Sequence, residues 1–73
     1  MFNEGDKIEL SRDARFKWGI MFKGVRGTFI EYVYGFTCEG TFYEYDTPSC
    51  RVRLEHIKET CIVEDYAIKR VQG

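Results

Sequence analysis

The sequence predicts a small all-β domain of about five strands that closes as a barrel, and three features predict it. The first is the stretch 24–34, GVRGTFIEYVY, where two glycines three apart lead into β-branched and aromatic residues. That is a tight turn feeding a long strand. The second is period-two alternation in residues 7–10, 41–45 and 50–56, the spacing of strands with one face turned inward. The third is size: 73 residues with 44% apolar and 16% aromatic composition suffice for one core and argue against disorder. Residues 1–73 are read as a single domain. Its stability is expected on the order of 5 kcal/mol, because so short a chain buries only about 60–65% of its unfolded surface.

The first strand follows the turn at Gly5-Asp6, with Ile8 and Leu10 facing one way and Lys7 and Glu9 the other. Residues 11–23 show neither period, so a long ordered loop is expected there, with a helical turn near residues 13–16. Phe16, Trp18, Ile20, Met21 and Phe22 need cover, and the loop is expected to fold across one mouth of the barrel. On the long strand, Phe29, Glu31 and Val33 share one face, and Thr28, Ile30, Tyr32 and Tyr34 the other. Gly27→Val is expected to be disruptive through a positive φ at Gly27. Residues 35–49 read as an extended hairpin that turns near Glu39-Gly40 and ends in a second turn at residues 46–49 around Pro48. Val52 and Leu54 then point inward, and residues 60–64 pair back. Asp65-Tyr66-Ala67-Ile68 suits one 3₁₀ turn before a last short strand over residues 69–71.

The net charge of −1 conceals a segregation. Residues 11–30 carry Arg12, Arg15, Lys17, Lys23 and Arg26 against Asp13 alone, whereas residues 31–50 carry Glu31, Glu39, Glu44 and Asp46 with no Lys or Arg. Cys38, Cys50 and Cys61 are spaced twelve and eleven residues apart, with no close Cys pair and His56 the one histidine. No metal site or cofactor is expected from that spacing. No secretory signal or apolar run of membrane-spanning length is read, so a cytoplasmic chain with reduced thiols and no membrane contact is expected.

The order of parts resembles a Src-homology-3-like small β-barrel. The parts are Gly-Asp-Lys-Ile-Glu-Leu, a long loop, Gly24-x-x-Gly27-Thr28 with an apolar strand, a hairpin, and Glu-Asp-Tyr-Ala-Ile-Lys-Arg-Val at residues 64–71. It is similar to standalone bacterial versions and to the KOW-type barrels of ribosomal and transcription proteins. The resemblance covers most of residues 5–34 and 50–71. It implies a glycine turn opening the second strand, a 3₁₀ turn before the closing strand, and binding of RNA, proline-rich peptides or protein partners. Residues 35–49 depart from the compact pattern, as an extended hairpin insertion.

Candidates for catalysis are thin, and no enzyme is expected. Cys50 and His56 share a strand face but stand about 20 Å apart along it, and Cys61 across from His56 reads as a chance neighbour. The glycine turn precedes a strand, so no helix terminus is available to hold a phosphate. The leading expectation is a non-catalytic protein-binding module or adaptor. It uses Phe36, Phe42, Tyr43 and Tyr45 with Trp18, framed by Glu39, Glu44 and Asp46, since Tyr and Trp combine large contact area with few rotamers. Self-packing of these aromatics to stiffen the hairpin is the plain alternative, and an exposed strand edge offers a route to a homodimer. A rival reading is nucleic-acid binding, with Arg12, Arg15, Lys17, Lys23 and Arg26 on phosphates and Phe16 or Trp18 stacking a base. A third is a phage-type inhibitor whose acidic hairpin fills a partner's nucleic-acid groove.

Overall fold

The computed structural model describes residues 1–71 and is all-β apart from one 3₁₀ turn. Its strands are β1 (Lys7–Leu10), β2 (Ala14–Phe16), β3 (Gly19–Met21), β4 (Arg26–Cys38), β5 (Thr41–Leu54), β6 (Cys61–Glu64) and β7 (Ile68–Arg70), the 3₁₀ turn (Asp65–Ala67) preceding β7. Five of them pair antiparallel in the order β6-β5-β4-β1-β7, and β2 pairs with β3 as a separate hairpin. The sheet does not close into a barrel: among the described residues no ladder joins β6 to β7. It must nevertheless curl. Laid flat, β6 and β7 would stand four strand spacings apart, roughly 19 Å, yet a 3₁₀ turn of about 2 Å per residue bridges Glu64 to Ile68. The Ser11 N–H donates to the Ala67 carbonyl at 2.8 Å and fastens that turn to the end of β1.

Curling gives the sheet an inside. Ile8, Leu10, Phe29, Cys50, Val52, Leu54, Cys61, Val63, Ala67 and Ile68 are buried there as one cluster. The inward positions expected of β1 and β5 are those observed. Residues 11–23 differ from expectation: in place of a loop with a helical turn, β2 and β3 form a hairpin with the two-residue connection Lys17-Trp18. Ala14, Phe16 and Met21 pack on the edge of the core, while Arg15 and Ile20, opposite one another, are exposed. Strands of three residues are too short to show a period, which is why the hairpin escaped the pattern.

Two irregularities shape β4 and β5. Phe29 pairs with Val52 and Glu31 with Arg51, so Ile30 is an extra residue, a bulge. Phe29 therefore parts from Glu31 and Val33, and Tyr32 comes round to its side, edge-on at 4.9 Å. This corrects the strict alternation expected along the strand. Farther out, Val33 pairs with Ser49 and Gly35 with Glu44, so residues 45–48 stand opposite Tyr34 alone. The second turn expected at residues 46–49 is thus a wide bulge within a continuous β5, where the missing N–H of Pro48 is tolerated. The turn at Glu39-Gly40 is as expected, a two-residue connection with φ of 50° and 82°. Gly27 does not have a positive φ. It needs to be glycine because a Cβ there would press on the Arg53 carbonyl of β5.

Candidate functional site

β1 covers β4 only from Arg26 to Thr28, and β6 covers β5 only from Ser49 to Val52. Beyond those registers the two long strands continue as a two-stranded ribbon with no other strand paired to either edge among the described residues. The molecule is accordingly elongated, 41 × 27 × 20 Å. Register decides what the ribbon presents. Phe36 lies opposite Tyr43, so the two side chains share a face. Their rings stack at 5.3 Å, and Tyr45 tilts against Phe36 at 6.0 Å. Stacking does not hide them, for Phe36 and Tyr43 each remain 50% exposed.

Period two along β4 places Tyr34 and Tyr32 on the same face as Phe36. Tyr32 and Tyr34 are 6.4 Å apart, and Tyr32 meets Phe29, which stacks on Phe2 at 5.5 Å. The Tyr32 hydroxyl accepts a hydrogen bond from the Phe2 backbone N–H at 2.8 Å. A stripe of rings thus runs from the core outward along the ribbon. Tyr32 and Tyr34 were outside the sequence-predicted set, although Tyr32-x-Tyr34-x-Phe36 carried the signal.

The remaining predicted residues fall elsewhere. Phe42 lies opposite Thr37 on the reverse face, where its ring covers Gly35 so closely that a Cβ there would sit 2.7 Å from the ring carbon Cζ. Glu44, opposite Gly35, belongs to that same reverse face, and Glu39 occupies the turn. Glu39, Glu44 and Asp46 are exposed, and none is ion-paired among the described residues. Trp18 is not part of the ribbon. It sits in the β2–β3 connection, stacked on Phe16 at 4.9 Å and 13°, with half of its surface exposed.

The five basic residues are divided as well. Arg12 lies over the Tyr66 ring at 4.6 Å, and with Arg15 it lines a cleft of about 360 Å³ that also receives Asp13 and Glu64. Arg26 lines a different cleft, of about 520 Å³, with Lys7, Arg53, Glu55 and His56. Lys17 is at the β2–β3 connection, and the Lys23 backbone N–H donates to Asp13 at 2.7 Å.

The thiols bear on chemistry. Burial, reinforced by Asp65, pushes the Cys50 thiol up to about 11, and burial with Glu59 raises Cys61. Both changes disfavour the thiolate that a nucleophile or metal ligand needs. Cys61 pairs with Val52 rather than His56, which is exposed in a turn with φ of 69°. Among the described residues no three His, Cys, Asp or Glu side chains gather as a metal site would require, and no helix is long and apolar enough to cross a membrane. Comparison with family models, with curated proteins and with solved structures finds no match to this chain.

Proposed function

We propose that this chain is a non-catalytic protein-binding module that docks through the Phe36–Tyr43–Tyr45 face of the β4–β5 ribbon. The observation that carries the reading is the Phe36–Tyr43–Tyr45 group, ordered by stacking, with Phe36 and Tyr43 half exposed on a ribbon that no other strand flanks among the described residues. Pre-stacked rings lose little rotamer freedom on docking, which makes them suitable anchors. Glu39 at the turn and Asp46 at the bulge, exposed at either end of that group, select a partner with a cationic surface; a basic nucleic-acid-binding groove is one such surface, as a phage-type inhibitor would use. The strand order β7-β1-β4-β5-β6 and the 3₁₀ turn just before β7 support the Src-homology-3-like reading of the sheet.

The test is affinity capture with the intact chain and with Phe36→Ala/Tyr43→Ala, folding being checked by circular dichroism. A partner retained by the intact chain and lost by the folded variant supports the reading; equal recovery by both sinks it. A second reading, single-stranded nucleic-acid binding, draws on the Phe16–Trp18 stack beside Arg15 and Lys17. Undetectable binding to mixed oligonucleotides at low salt removes that reading, and a steep salt slope favours it.

A further inference from the structure

We propose that the cationic partner of the ribbon is a second copy of this chain. The ribbon of one protomer lies on the β2–β3 hairpin of the other, and reciprocally, in a closed two-fold dimer. This rests on the ribbon being a protein-binding surface and adds the identity of what it binds.

Charge is the first argument. The ribbon carries Glu39, Glu44 and Asp46, and no cation occurs anywhere from residue 31 to residue 50. The β2–β3 region carries Arg12, Arg15, Lys17 and Lys23 against Asp13 alone, and none of these four cations is in an ion pair among the described residues. Each surface is the complement of the other. Apolar exposure is the second argument. The hairpin seats Ala14, Phe16 and Met21 against the core and leaves Trp18 50%, Ile20 45% and Phe22 66% exposed. Those side chains offer rings and aliphatic surface to Phe36, Tyr43 and Tyr45, so cations and carboxylates can frame an apolar centre.

The same observations disfavour the simpler dimer, in which two ribbons pair edge to edge. A two-fold contact between ribbons sets one acidic surface against another, with no Lys or Arg from residue 31 to residue 50 of either copy to offset the repulsion. Exchange of ribbon for hairpin meets opposite charge at both contacts. Reciprocity also doubles the buried area, which one short ribbon face supplies sparingly against the roughly 1,600 Å² of a standard interface.

The test is the mass of the chain in solution, by sedimentation velocity and by light scattering, from micromolar to millimolar concentration. The expected mass is that of two chains, falling toward one as salt is raised. Arg15→Glu/Lys17→Glu and Glu39→Lys/Asp46→Lys are each expected to weaken dimerisation by more than about tenfold. An equal mixture of the two variants regains the two-chain mass, because each reversed surface then meets its complement. All four side chains are exposed, and Trp18→Ala, which keeps every charge, is expected to weaken the dimer too.

An intact chain that is monomeric throughout overturns the proposal, as does a dimer indifferent to Arg15→Glu/Lys17→Glu, or no recovery on mixing. A monomer that binds oligonucleotides through the same cations overturns it as well. A monomer that still captures another protein in a manner lost by Phe36→Ala/Tyr43→Ala refutes the second-copy partner alone and leaves the binding surface standing.

Discussion

β4 and β5 each belong to two regions, and the two ends of the same strands behave differently. At the sheet end Phe29, Val52 and Leu54 are buried under β1, β6 and the 3₁₀ turn. At the ribbon end Phe36 and Phe42, no less apolar, and Tyr43 beside them stand half exposed. Residue type does not separate the ends; neighbours do. A two-stranded ribbon is marginal in water on its own, so the sheet supplies the stability and the ribbon is carried by it. That division puts substitutions at one end into folding and substitutions at the other into binding.

The largest effect belongs to the sheet. Leu54 is fully buried, and Leu54→Ala is expected to cost about 2–5 kcal/mol. On a domain worth about 5 kcal/mol that leaves about 0–3 kcal/mol, a loss that urea or thermal denaturation will register. A sharper probe divides the regions. A Cβ at Gly35 would collide with the Tyr43 carbonyl and the Phe42 ring, so Gly35→Ala is expected to cost about 1–3 kcal/mol locally. Its signature is loss of the Phe36–Tyr43 contact by NMR with retained Phe29 and Val52 signals.

Cys50 gives a smaller, pH-dependent effect at the sheet end. Its folded value is raised to about 11 from an ordinary 9.0, so the folded state holds the thiol proton more tightly than the unfolded one. Its contribution is fully present below pH 9 and is lost as pH rises toward 11. Cys50→Val is expected to flatten that alkaline loss in denaturation midpoints measured across the window. The smallest effect concerns Asp6, held below the usual carboxylate value by the Asn3 N–H and by Arg70 at 2.9 Å. Stability from a lowered carboxylate is present above its unfolded value near 3.8 and is lost as pH falls below it. Asp6→Asn is expected to reduce the acid slope slightly, in the same midpoint measurement.

These sites also mark what the sequence made legible. Period two in 7–10 and 50–54 announced Ile8, Leu10, Val52 and Leu54 as core, and the glycine turn announced β4. The two-residue turn at Glu39-Gly40 was legible too, and from it the parity that sets Phe42 opposite in face to Tyr43 and Tyr45. The bulge at Ile30 was not, because whether a strand keeps or skips a residue depends on what it must cover in space. Pro48 read as a turn, since the sequence cannot show that its missing N–H falls within a wide bulge where no bond is required. Trp18 grouped with the ribbon aromatics by composition alone. The short β2–β3 hairpin that holds it apart had too few residues to declare itself.

Amide hydrogen exchange, read residue by residue along β4 and β5 in dilute solution, tests the division most directly. The predicted result is slow exchange through residues 27–32 and 50–54, limited by global unfolding, and exchange faster by orders of magnitude through residues 35–45. Uniform protection along both strands would contradict it, because the ribbon aromatics would then be a second core rather than a surface held out for a partner.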